Sequence, residues 1–252
     1  MILTLASVTI SCAESTKQET KTNYEDLTKQ YAKVQLTSDI SHLSDNEKHM
    51  LKYLFEVGRI MDDIFWTQNY GGDKETFLNS IEDDNARLFA EINYGPWNHF
   101  DNLASFLPEY GEMPQGAGFY PADMTKEEFE AWDNPDKTSQ YTLIKRDENG
   151  KLQAVWFHEA YAEQVKTASD LLMKASELAG DEEFANYLRL RAKALLTDDY
   201  LESDMAWMDV RNNNVDFVVG PIENYVDALY GYKAAHEAFI LIKDQEWSSQ
   251  LA

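Results

Sequence analysis

The sequence predicts an α+β fold, predominantly helical with a small, mostly antiparallel sheet. Three observations lead there. Long stretches carry apolar residues at helical spacing behind N-capping signals, a hairpin signal sits mid-chain, and a β-branched run lies near the C-terminus. At 44% hydrophobic and 13% aromatic residues, the chain can bury enough area to offset its ordering entropy and fold.

The elements follow in order. Ser44-Asp-Asn-Glu47 has the form of a capping box, and Met50, Leu51, Leu54, Val57, Ile60, Met61, Ile64 and Phe65 continue at the spacing of one helix face. Gly71-Gly72 ends that helix. A second is expected from Lys74 to Ile92, with Phe77, Leu78, Ile81, Leu88, Phe89 and Ile92 on its buried face. Between Gly95-Pro96 and Gly118-Phe-Tyr-Pro121, aromatics recur without a period, which predicts irregular backbone pinned by rings. Thr125-Lys-Glu-Glu128 is another capping box and opens a short helix through Trp132, stopped by Asn134-Pro135. Tyr141–Lys145 and Lys151–Phe157 flank Asn149-Gly150 and read as a hairpin. Helices are expected over Glu159–Leu178 and Glu182–Leu196, antiparallel because the link is short, with Asp198–Met208 continuing helically. Asn213–Gly220 has a strand's composition, while Ala238–Lys243 fits a strand or a helix.

Charge narrows the functional classes. In 252 residues, 22 Lys and Arg face 45 Asp and Glu, a formal net charge of −23. That argues against nucleic acid as a partner, because phosphate binding depends on Lys and Arg. The single cysteine, Cys12, leaves no intramolecular disulfide and no cysteine-based zinc site. It ends an apolar run from Met1 that is too short to span a bilayer and reads as an export signal. Thr9-Ile10-Ser11-Cys12 resembles a loose bacterial lipobox, although no Lys or Arg precedes the run; a frayed terminus with an unrelated cysteine is the alternative. Three regions are expected: an export signal with lipobox over 1–12, a flexible tether over 13–39, and a folded region over 40–252. An exported protein anchored at the bacterial cell envelope through lipid on Cys12 follows, with no other contact to the membrane.

Catalytic templates were tested against the residues. His158-Glu159 and His236-Glu237 each begin like the zinc signature H-E-x-x-H, but Ala162 and Ile240 stand where the second His belongs. Both pairs are therefore read as structural. No G-x-S-x-G elbow, Gly-rich phosphate loop or Asp-rich calcium loop is present. Adjacent acids such as Asp62-Asp63, Asp83-Asp84 and Asp198-Asp199 are expected on solvated faces or at helix N-termini. What stands out is Gly220-Pro221-Ile222-Glu223-Asn224-Tyr225, where an extended chain puts Glu223 and Tyr225 on one side, two residues apart. A carboxylate beside a phenol suits capture of an ammonium group; local capping by Glu223 and packing of Tyr225 is the structural alternative.

That segment, with Gly231-Tyr-Lys-Ala-Ala235 and Glu237-Ala-Phe239, resembles the substrate-site region of the dipeptidyl peptidase III family of zinc metallopeptidases, especially its short bacterial members. Tyr94-Gly-Pro-Trp97, Gly118–Phe129, Tyr141–Ile144 and Leu195–Met208 are similar as well, so the likeness runs from about Leu43 to the end. The resemblance implies the N-terminal part of a two-lobed peptidase. It implies Glu223 on the ammonium group of a peptide with a free N-terminus and Tyr225 on its backbone, with Asn224 between them in the substrate-binding segment. The family holds its zinc on an H-E-x-x-G-H or related helix and a distant Glu, both C-terminal to the matched segment. No catalytic residue, metal ligand or cofactor is therefore expected in this chain, which would be inactive without a C-terminal zinc lobe as partner. The alternative is a non-catalytic surface lipoprotein that binds peptides or glycans, the latter through aromatics in Trp97–Tyr120.

Overall fold

The computed structural model describes residues 22–251. The expected export signal and Cys12 lie outside the described residues, as does the first part of the expected tether. The fold is α+β and mainly helical, as the sequence predicts. Among the described residues its β content is not one sheet but three two-stranded antiparallel ribbons.

Helix α1, Tyr24–Thr28, falls where a tether was expected, yet it docks on the body. The Tyr24 hydroxyl donates to Phe106 O at 3.4 Å, and the Tyr31 ring meets the Phe89 ring edge-on at 5.9 Å. Aromatic rings in an otherwise polar stretch find apolar area to cover, and their spacing shows no period that would reveal it.

Helix α2, Asp45–Tyr70, is the spine. Its capping box forms in full, with Glu47 N–H donating to Ser44 Oγ at 3.2 Å and Ser44 N–H donating to Glu47 Oε2 at 2.8 Å. Gly71 stops it with φ 82°, the left-handed conformation that glycine adopts without a Cβ penalty. Leu54, Val57, Met61 and Ile64 enter the main core, while Trp66 enters a second core with Phe77, Phe89 and Phe106. One helix thus ties both cores together, each fully buried large apolar side chain contributing roughly 1.5–3 kcal/mol.

The single helix expected over Lys74–Ile92 is two, α3 (Lys74–Ser80) and α4 (Asp84–Asn93). Asp83 explains the break, since its Oδ1 accepts from the N–H groups of Asn85 and Ala86 and starts a new helix. The aromatic-rich stretch after it is irregular, as expected, holding the two-residue strands β1 (Trp97–Asn98) and β2 (Ala104–Ser105). Its turn at Ala117–Phe119 presses on the end of α2, where a Cβ on Gly118 would lie 2.3 Å from Thr67 O.

Thr125 caps α5, Lys126–Ala131, accepting from Glu128 N–H at 3.1 Å. The Glu128 carboxylate does not close the box; it pairs with Arg146, at 2.8 and 2.9 Å, which also grips Asp123. Strands β3 (Thr142–Arg146) and β4 (Leu152–Trp156) form the expected hairpin, with Gly150 at φ 76°. Tyr161 then separates a single turn, α6 (Phe157–Ala160), from α7 (Ala162–Ser176). Helices α8 (Glu182–Ala194) and α9 (Leu201–Asp209) follow. Strand β5, Val215–Glu223, pairs antiparallel with β6, Ala235–Ile242, which settles the second stretch as a strand, and α10 (Gln245–Leu251) comes last. Among the described residues, no helix is long and apolar enough to cross a membrane.

Candidate binding cleft at the end of the β5–β6 ribbon

The ribbon's register slips between Pro221 and Glu223. Gly220 pairs with Glu237 and Pro221 with His236, but Glu223 pairs with Ala235, leaving Ile222 as the extra residue of a bulge. Such an irregularity re-aims the side chains that follow it, and Glu223 ends β5 exposed, beside a cleft.

Beyond Glu223 the chain winds around one carboxylate. Asp227 is buried and accepts N–H groups from Leu229 and Tyr230 on Oδ1, and from Tyr232 and Lys233 on Oδ2. The Tyr120 hydroxyl adds a bond of 2.7 Å. Lys233 is fully buried, and its ammonium donates to Lys137 O, Ser139 O and Thr142 Oγ1 at 2.8–2.9 Å. Burial lowers its pKa to about 8. The loop that carries Tyr225 is therefore fixed from inside.

The cleft has a volume of about 380 Å³ and collects residues from four elements and a loop. Helix α2 supplies Gly58, Asp62 and Phe65, one stripe of its surface; Tyr94 comes from the end of α4; β6 supplies Glu237 and Phe239. Glu223 and Tyr225 complete it, so the two residues singled out in the sequence do share one site. Asn224 does not line it; its Nδ2 donates to Gly231 O at 2.6 Å and closes the loop. The resemblance grouped it with its neighbours, but local hydrogen bonding takes its amide.

Negative charge dominates the cleft. Tyr225 Oη donates to Glu237 Oε1 at 3.4 Å, and Tyr94 Oη donates to Asp62 Oδ1 at 2.7 Å. Lys74 lies 3.3 Å from Asp62 and also pairs with Asp63, so part of Asp62's charge is answered within the chain. Glu223 and Glu237 have no Lys or Arg partner among the described residues. Burial first, and the neighbouring Glu223 second, raise the Glu237 carboxyl above its ordinary pKa. Burial and the nearby Glu237 and Glu223 likewise raise the Tyr225 phenol. Two carboxylates and a phenol converging in a half-open cleft favour a cation as ligand.

Sequence reasoning missed Asp62, Tyr94 and Glu237. Glu237 was tested as part of a zinc motif and fell within the segment that carries the resemblance, but was given no role there, although it pairs with Gly220 across the ribbon. Asp62 was set aside as one of an adjacent acid pair, although Gly58, Asp62 and Phe65 share a helix stripe.

Neither His-Glu pair builds a metal centre. His236 is buried against Phe157 and Tyr161; Gln68 Oε1 accepts its backbone N–H at 2.8 Å, and Gln68 Nε2 meets its Nδ1 at 3.0 Å. Burial holds its pKa down at about 3. His158 Nδ1 lies 2.8 Å from Asp198 Oδ2, which also accepts the His158 N–H. Among the described residues, no group of three or more His, Cys, Asp or Glu is placed to hold a metal. The aromatics of Trp97–Tyr120 do not form an open platform either: Trp97 is only 4% exposed, with Nε1 donating to Gly111 O, and Phe119 is buried; Phe100 alone of those named is largely exposed. They serve the cores, which removes the main support for glycan stacking.

No family model matches the chain. Its fold is similar to the structure of DPP III from Caldithrix abyssi, with a TM-score of 0.84 and 37% identity, covering 90% of this chain and 45% of that one. It is also similar to dipeptidyl-peptidase III from Corallococcus sp. strain EGB, with a TM-score of 0.84 and 32% identity, over 91% of this chain and 45% of that one. A curated relative, Nudix hydrolase 3 of Arabidopsis thaliana, is 29% identical over 282 residues, spanning 88% of this chain but 36% of the relative. The chain thus spans less than half the length of each of these three proteins, and most of the Arabidopsis protein lies outside the matched stretch.

Proposed function

We propose that this chain is the N-terminal, substrate-binding portion of a dipeptidyl peptidase III-type zinc peptidase, and that its acidic cleft receives the free N-terminus of a peptide. The observation that carries the reading is the convergence of Glu223, Glu237 and Tyr225 around a space with no cationic side chain to answer the two glutamates. Glu223 would accept the ammonium group, Glu237 would share its charge, and Tyr225 would hold the peptide backbone beside it. Charge-assisted hydrogen bonds of this kind contribute roughly 1.5–3 kcal/mol each, enough to set a preference for free N-termini. The similarity to two solved dipeptidyl peptidase III chains supports a peptidase-like fold around that cleft.

Zinc, when bound in a complete enzyme of this type, supplies Lewis-acid polarisation of the peptide carbonyl and an activated water. The described residues do not fit a zinc site, so every role assigned to them is one of binding. The chain by itself would hold peptides without cleaving them, and a C-terminal lobe would bring the metal. Export and lipid anchoring through Cys12 belong to the same reading; labelled palmitate should enter the wild type and not a Cys12→Ser variant.

The test is a titration with a tripeptide amide bearing a free N-terminus and with its N-acetylated form. Glu223→Gln should weaken binding of the free peptide about tenfold or more and leave the acetylated one unchanged. Equal loss for both would defeat ammonium capture.

A further inference from the structure

Helix α9, Leu201–Asp209, buries only Ser203. Helices α2, α4, α7 and α8 each send large apolar side chains into a core, whereas α9 turns its own outward. Leu201, Met205 and Met208 are 71%, 56% and 57% exposed. Their spacing, four residues and then three, is the d–a–d step of a coiled-coil seam. In the same heptad Ser203 takes f and Ala206 takes b, the side that packs on the body, so the seam points away from it. Glu202 and Asp209 fall at e and Asp204 at g, which places carboxylates along both flanks. Arg191 pairs with Asp204. Lys193 lies 3.6 Å from Glu202, but these side chains are 71% and 69% exposed, and such a pair is weak. Asp209 has no Lys or Arg partner among the described residues. Beside Met205, a groove of about 640 Å³ between the start of α8 and the end of α9 adds Glu182 and Glu183 to Asp209, with Arg211 as its one cation.

We infer that the exposed face of α9 docks an amphipathic helix of a partner protein, one whose apolar a and d residues are flanked by Lys or Arg. The seam selects a helix, because a and d side chains interlock with side chains repeating at the same spacing. Acids at both e and g select the charge of its flanks, since opposite charges across those positions set partner choice. A second copy of this chain is the occupant that the charges reject. Its seam would bring Glu202, Asp204 and Asp209 against the same acids, on bodies of net charge −23 each. None of these residues lines the acidic cleft, so the inference stands apart from what that cleft binds.

The experiment titrates the full chain against fluorescently labelled peptides of about 20 residues, long enough to hold a helix. One carries Leu at a and d with Lys at e and g, a second carries Glu at e and g instead, and a third is the Lys peptide with its residue order shuffled. The Lys-flanked peptide should bind about tenfold more tightly than either of the others. Met205→Gln changes an exposed side chain and should weaken that binding about tenfold, whereas Leu88→Gln, at an exposed apolar position on α4, should leave it within about twofold. The double variant Glu202→Lys, Asp209→Lys should move the preference to the Glu-flanked peptide. Equal binding of the Lys-flanked and shuffled peptides, or no loss in Met205→Gln, overturns the docking face and leaves only attraction between opposite net charges. A concentration-dependent dimer in sedimentation that Met205→Gln abolishes also overturns it, in favour of a second copy on the same face.

Discussion

Tyr225 and Glu237 meet across the end of the β5–β6 ribbon, the phenol donating to the carboxylate at 3.4 Å. They are twelve residues apart in the chain, and three features join them: antiparallel pairing, a bulge at Ile222, and a loop wound on Asp227. The contact makes Glu237 part of a site that its sequence context does not announce.

The first prediction concerns pH. Glu237 has a raised pKa, so it is protonated at a higher pH than an ordinary glutamate. An ammonium ligand needs the ionised form. Affinity for a free N-terminus should therefore begin to fall at a higher pH than an ordinary glutamate would give, and in Glu237→Gln the remaining fall should shift to lower pH. Calorimetric titration at several pH values checks this; superimposable profiles for the two proteins would remove Glu237 from the site.

The second concerns the loop. Asp227 is buried and accepts five hydrogen bonds, from four backbone N–H groups and the Tyr120 hydroxyl. Asp227→Ala should destabilise the fold by about 3 kcal/mol or more in denaturant unfolding, because buried donors lose their acceptor. Tyr120→Phe removes one donor only and should cost about 1 kcal/mol. Equal stability of Asp227→Ala and wild type would mean that the loop is fixed by other contacts.

Lys233 supplies the third. Its folded pKa of about 8 lies below the ordinary lysine value of 10.5. Between those values the unfolded chain binds the proton and the folded chain does not, so stability contributed at this site rises with pH from about 8 to 10.5 and is flat outside that window. The stability difference between wild type and Lys233→Met, followed by urea unfolding across pH 7–11, should show that slope. A difference independent of pH would place the titration elsewhere.

The fourth is steric. A Cβ on Gly118 would stand 2.3 Å from Thr67 O and 2.8 Å from the Gly71 Cα, both backbone atoms. Gly118→Ala should cost roughly 1–3 kcal/mol in unfolding measurements. A thermal midpoint unchanged from wild type would show that the turn at Ala117–Phe119 can withdraw from α2.

Local signals were the legible ones. Ser44 and Glu47, Gly71, Thr125, and Asn149-Gly150 mark starts, stops and turns by rules that act over a few residues, and the corresponding elements stand where they were expected. Asp83 was read only as one of an adjacent acid pair, on a solvated face or at a helix N-terminus, while the apolar spacing that continues from Phe77 through Phe89 across it hid where the new helix starts. Docking of Tyr24 and Tyr31 depends on Phe106 and Phe89, far along the chain, which no local pattern encodes. The same limit explains the cleft. Glu223 and Tyr225 were visible as neighbours in an extended segment, whereas Asp62, Tyr94 and Glu237 join them only through tertiary packing.

The central claim is that a peptide's ammonium group sits among Glu223, Glu237 and Tyr225. A crystal structure of the chain soaked with Tyr-Ala-Ala amide tests it most directly. The account predicts the ammonium nitrogen within hydrogen-bond distance of the Glu223 carboxylate, about 2.7–3.2 Å. A peptide bound with its N-terminus elsewhere, and the cleft filled only by solvent, would contradict it.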